Sequence, residues 1–166
     1  MSLTVYQLKT YANKWLKETY GFELEIPLSI NGRLRSTYGR FKYRQWANGM
    51  QKPLSVEMNK TFVENNDSLV VLDVLKHELV HYAMFKLNKP FSDGHPIFER
   101  ELSRLSVINQ RNINRQYDIK SKKHFYKCMD CNEEYQTKTA LRNGHQNYRC
   151  SCGGHLKDLG KKLVTT

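Results

Sequence analysis

Apolar residues open the chain at Val5, Leu8, Ala12, Trp15 and Leu16. This spacing predicts a helix over residues 3–19, and Gly21 stands where such a helix stops. Residues 22–30 read as strand, and Asn31-Gly32 is a tight-turn signal that predicts a hairpin into residues 34–43. Residues 54–59 alternate apolar and polar and predict a half-buried strand. Asn66, Asp67 and Ser68 then offer N-cap side chains ahead of the apolar run 69–87, the expected central helix, which ends near Asn88 and Pro90. A loop over 91–95 leads to Pro96, a favoured first helical residue. The helix it begins is expected to reach about Ile108, with Phe98, Leu102, Leu105 and Ile108 on one face. Residues 118–124 read as a linker, and short alternating strands follow.

The central helix carries the chemistry. His77 and His81 are four apart, so both rings leave one face about a turn apart and can close on one Zn²⁺. Glu78 lies about 100° around the helix from His77 and about 60° from His81. It flanks the metal without ligating it, the position of a base for a water that zinc activates. Val70, Val74 and Met84 or Phe85 continue the face, which places the histidines at the floor of a cleft. A catalytic zinc takes three protein ligands and one open position. His95, held by the Asp93-Gly94 turn, is preferred as the third ligand, with Glu99 and Glu101 as the alternatives.

Charge and cysteine add a second feature. The chain of 166 residues carries a net charge of +11, and residues 120–166 hold 10 basic against 4 acidic side chains. Such density is a footprint for a polyanion, most often nucleic acid. Arg33, Arg35, Arg40, Lys42 and Arg44 form an acid-free stretch with Tyr38, Phe41 and Tyr43 among them, the candidate nucleic-acid contacts; the rings can stack on bases of a single strand. Cys128, Cys131, Cys150 and Cys152 fall in one short window, with 18 residues between the pairs. In a reducing compartment such pairs read as ligands of a structural zinc, although Cys150-Ser-Cys152 is one residue shorter than the common Cys-x-x-Cys. Gly153-Gly154 supplies a tight second turn. No basic region followed by an apolar one opens the chain, and no run nears the ~18–20 apolar residues of a membrane span, so a cytoplasmic protein without a membrane partner is expected.

His77-Glu-Leu-Val-His-Tyr82, Gly94-His95 with Phe98 after it, and the trailing cysteine pairs resemble the SprT family, which includes Spartan-type proteases that degrade proteins crosslinked to DNA. The resemblance implies that His77, His81 and His95 bind a catalytic zinc and that Glu78 is the base. It also implies an α+β fold: a compact zincin-like metalloprotease domain over residues 1–117, its helices packed on a small antiparallel sheet or hairpin, then a zinc ribbon over 124–160. The expected function is a zinc-dependent endopeptidase acting on DNA-associated proteins, with DNA, single-stranded or crosslinked to protein, as a partner. The alternatives are a non-proteolytic zinc- and nucleic-acid-binding module with a regulatory role, which Glu78 speaks against, and a peptidase whose charge recognises acidic substrates.

Overall fold

Thr4 begins the first helix, α1 (Val5–Tyr20), by a reciprocal cap in which its hydroxyl accepts from the Gln7 amide and the Gln7 side chain accepts from the Thr4 amide. Gly21 ends it in the left-handed region. Leu8, Ala12 and Leu16 are fully buried and form the face that meets the core. The computed structural model describes residues 2–116, 120–142 and 144–165. The chain divides into two compact units, Met1–Ile119 and Lys120–Thr166. Among the described residues no helix is long and apolar enough to cross a membrane.

The sheet of the first unit differs from the expected hairpin. Its strands are β1 (Leu28–Asn31), β2 (Gly39–Gln45) and β3 (Gln51–Asn59), in the order β1-β3-β2. β1 runs parallel to β3 and β2 antiparallel to it, so β3 separates the two strands expected to pair. The Asn31-Gly32 turn does not return the chain along β1, because the Asn59 side chain donates to the carbonyls of Leu34 and Thr37 and pins the intervening loop beside β3. The true hairpin joins β2 to β3 through residues 46–50, closed by hydrogen bonds from Trp46 N to Met50 O and from Gly49 N to Trp46 O. Residues 22–27 are irregular.

Val56 and Met58 of β3 point into the core with the buried faces of α1 and α3 (Ser68–Lys86). Their neighbours Ser55 and Glu57 point to the opposite face. A short helix, α2 (Lys60–Asn65), which the sequence pattern did not announce, is capped by the Asn59 side chain. α3 starts after Asp67 as expected and is buried on nearly every side from Val71 to Met84. α4 (Pro96–Arg104) is shorter than expected: Leu105 caps it, and Ser106, at φ 53°, turns the chain into α5 (Gln110–Gln116).

The second unit is an antiparallel sheet in the order β5-β4-β6, of β4 (Lys120–Cys128), β5 (Glu134–Thr137) and β6 (Leu156–Thr165). Of the expected linker, 118 and 119 lie outside the described residues, and 120–124 belong to β4.

Candidate metal centres

Residues 77–81 sit mid-way along α3, where His77 is fully buried and His81 and Glu78 nearly so. The Nδ1 of His77 meets the Ile108 carbonyl at 2.8 Å, and that of His81 meets the Phe91 carbonyl. A carbonyl only accepts, so each Nδ1 carries the proton and each Nε2 keeps its lone pair in the neutral ring. The two Nε2 atoms face one another at 3.1 Å. Phe98, fully buried on α4, stacks on the His81 ring at 4.3 Å and meets His77 edge-on at 5.7 Å, fixing both planes.

Asp93 Oδ1 completes the group, 3.0 Å from His77 Nε2 and 3.5 Å from His81 Nε2. Ligand atoms about 2.0–2.2 Å from a tetrahedral zinc lie about 3.3 Å apart. A triangle of 3.0, 3.1 and 3.5 Å therefore fits one face of that tetrahedron. Burial alone would raise the Asp93 carboxyl, but hydrogen bonds from Nε2 of His77 and His81, made when no metal takes those atoms and the rings carry a second proton, outweigh it and hold the group well below the usual carboxylate range. Burial opposes charge on His77 too, and there the Asp93 hydrogen bond and the Glu78 charge prevail and raise it.

His95 lies outside this cluster. It is exposed, and its Nδ1 accepts from the Ile97 amide at 3.2 Å as the N-cap of α4. A ring that accepts through Nδ1 carries its proton on Nε2, the opposite tautomer to His77 and His81. Glu99 accepts from the Gly94 amide, and Glu101 from Tyr20 and Arg104, so neither joins the group. Geometry and resemblance thus name different residues of one turn, Asp93 and His95.

Glu78 points to the other side of the pair, toward β2. Burial pushes its carboxyl above the ordinary range, against the pull of the His81 and His77 charges and a hydrogen bond from the Phe41 amide. Gly39 is what admits it: a Cβ there would stand 2.9 Å from Glu78 Cγ and 3.1 Å from Met58 Sδ. No sequence motif marks Gly39; only the packing of β2 on α3 does. Glu78 and His81 open into a cleft of about 400 Å³, walled by Gly39, Phe41, Tyr43 and Phe91.

The candidate nucleic-acid residues divide. Arg40 and Lys42 reach Glu57 at 2.8 and 3.4 Å on the face of the sheet away from α3. Arg44 lies over Trp46. Arg33 and Arg35 are exposed in the loop between β1 and β2. Tyr38 packs edge-on against Phe62, and Phe41 and Tyr43 turn toward Phe85 and Phe91, so the rings do not interleave with the cations.

In the second unit the four thiols converge, all within 4.8 Å of one another, with Cys128–Cys152 at 3.6 Å and Cys131–Cys150 at 3.4 Å. Tetrahedral zinc thiolates lie about 3.8 Å apart, so the set fits. The short Cys150-Ser-Cys152 turn is closed by Gly153 N to Cys150 O at 2.8 Å with Gly153 in the left-handed region. A Cβ on Gly154 would stand 2.6 Å from Cys128 Sγ and collide with Asp130. The Tyr135 hydroxyl lies 2.9 Å from Cys150 Sγ and 3.0 Å from a Glu133 oxygen. That contact, ahead of the Cys152 amide, draws the Cys150 thiol down to about 6.

The model of the SprT-like family matches residues 5–119. A curated relative from Streptococcus mutans, described as "Protein SprT-like", is 25% identical over 153 residues, covering 90% of this chain and 95% of its own. Proteins of the same description from Bacillus cereus (28% over 135 residues, 80% and 81%) and Lactococcus lactis (29% over 158 residues, 90% and 89%) are similar to it as well.

Proposed function

The chain belongs to the SprT-like family, and on that premise we propose that it is a zinc-dependent endopeptidase acting on polypeptides associated with nucleic acid. The observation that carries the reading is the buried pair of Nε2 lone pairs at 3.1 Å with a carboxylate beside them that is not one of the clustered ligands. His77 and His81 would hold the metal, with a third ligand from the 93–95 turn. Zinc, when bound, supplies the Lewis acidity that makes water a nucleophile near neutral pH and polarises a peptide carbonyl.

Glu78 does the proton work. Its burial favours the protonated form, so a proton taken from the attacking water is held at its carboxyl rather than lost to solvent. The Phe41 amide fixes the carboxylate meanwhile, and the proton passes to the leaving amine as the C–N bond breaks. Glu78 itself is nearly buried, at the floor of the cleft rather than its rim.

Nucleic acid as the setting is supported by the second unit. Lys123 stands directly opposite Lys162 across β4 and β6, and Lys127 opposite Lys157. Like charges so placed repel, and a phosphate backbone relieves them.

The test is cleavage of an unfolded protein by the zinc-loaded chain, with and without DNA. Cleavage should vanish with a chelator, return with zinc, and be absent in Glu78→Gln at unchanged zinc content. No cleavage by the zinc-loaded wild type, or loss of metal in Glu78→Gln, overturns the assignment. Zinc affinities of Asp93→Ala and His95→Ala identify the third ligand.

A further inference from the structure

Phe41, Tyr43 and Phe91 line the cleft beside Glu78 and His81. Phe41 and Tyr43 stack at 5.9 Å, and Phe91 meets Tyr43 edge-on at 5.0 Å and Phe41 at 6.0 Å. The set is anchored on α3, where Phe85 lies 5.5 Å from Phe41 and 5.3 Å from Phe91, and Tyr82 6.1 Å from Phe41. Tyr43 nevertheless remains 41% exposed, and Phe41 and Phe91 are half-buried. A fixed wall of aromatic edges and faces thus stands open to solvent next to the base.

We propose that this wall is a substrate subsite, and that the cleft selects polypeptides with an aromatic or large aliphatic side chain immediately beside the scissile bond. The inference rests on the peptidase reading and adds its substrate class. An incoming ring finds edge-to-face partners already in place, so binding orders little of the protein. A charged or amide side chain would be desolvated against hydrocarbon there. A polypeptide is the occupant that the arrangement favours over a nucleic-acid base, because the rings share their cavity with the carboxylates of Glu78 and Asp93, which repel a phosphate backbone, and Arg40, which also lines the cleft, has its guanidinium paired with Glu57.

Short synthetic peptides of Gly, Ser and Gln with one central Phe, Leu or Ala test this on the full-length, zinc-loaded Glu78→Gln protein, in which binding is read without turnover. The Phe and Leu peptides should bind at least about tenfold more tightly than the Ala peptide. The preference should fall to less than about threefold in Tyr43→Ala and in Phe91→Ala made in the same background, with zinc content and far-ultraviolet circular dichroism unchanged. Equal binding of all three peptides overturns the proposal without need of the variants. So does a preference that survives both substitutions, or displacement of the Phe peptide by single-stranded oligothymidylate that is lost in Tyr43→Ala, which would give the rings to bases. A binding preference that persists while zinc-loaded wild type cleaves none of the peptides removes the peptidase reading and leaves the apolar subsite standing.

Discussion

Replacing Gly39 by alanine should separate catalysis from metal binding. Gly39 is not in the left-handed region, so alanine meets no backbone strain there; the obstacle is space. The new methyl would stand 2.9 Å from Glu78 Cγ, 3.2 Å from its Oε1 and 3.1 Å from Met58 Sδ. Carbon atoms rest at about 3.5–4.0 Å, so Glu78 or β2 must yield by about 0.6–1 Å. Met58 is fully buried and cannot swing into solvent. Overpacking of this kind costs about 1–3 kcal/mol of stability. If Glu78 is displaced by about 1 Å, turnover falls by about a hundredfold. The three atoms nearest the methyl belong to Glu78 and Met58 and none to His77, His81 or Asp93, so zinc affinity should stay within about threefold, well under the tenfold that corresponds to about 1.4 kcal/mol. Urea unfolding, zinc titration with a chromophoric competitor, and kcat/KM on an unfolded substrate measure the three quantities. Wild-type turnover with wild-type stability would refute the reasoning, because it would mean that β2 recedes freely and does not hold Glu78 in place.

The ribbon site should be independent: the Cys128→Ser, Cys131→Ser double variant should release one zinc and leave the other bound, and a single zinc in the fully metallated wild type would contradict this. Tyr135→Phe removes the hydroxyl from Cys150 and should weaken ribbon zinc by about tenfold or more, the worth of a hydrogen bond to a charged acceptor, read by competition with a chelator. Burial would raise Glu57, but hydrogen bonds from Asn31 and Arg40, with the Arg40 charge, outweigh it and hold its carboxyl low in the folded state. Its stabilisation is therefore complete above the unfolded value of about 4.3 and is lost as pH falls through the lower folded value; stability profiles of wild type and Glu57→Gln should converge in acid, and a constant gap would contradict the pairing. Neutralising Lys123, Lys127, Lys157 and Lys162 with glutamine should flatten the salt dependence of DNA binding by about three to four in log–log slope, against about one for Arg40, Lys42 and Arg44, two of which already face Glu57.

Helix α3 was legible in the sequence because its signals are local: Asp67 at the N-cap position, although its side chain makes no capping hydrogen bond, a stop near Pro90, and histidines at i and i+4. The thiol cluster was legible because paired cysteines leave few other uses in a reducing compartment. The sheet order was not. The parallel pairing of β1 with β3 is settled by Asn59, about 25 residues from the turn it restrains, and the local Asn-Gly signal carries no trace of that contact. α2 and α5 are short and lack a long apolar period, and tertiary packing of Phe62, Val63 and Ile113 decides them. Asp93 read as a turn residue because Asp-Gly is a turn signal, and nothing in one dimension brings its carboxylate back over His77.

The anchors of the two imidazoles are main-chain carbonyls, at Phe91 and Ile108. Every amino acid brings the same oxygen, so the orientation of His81 depends on where residue 91 lies and not on what it is. The ring of that residue meanwhile forms part of the cleft wall. Position 91 thus carries two inheritances on separable atoms. Drift in its side chain can retune what the cleft accepts while the metal ligand stays aimed, whereas a one-residue insertion or deletion between 85 and 91 would disturb the metal before it altered the wall. Variation by substitution and variation by length are uncoupled there, which leaves the pocket free to diverge around a fixed centre.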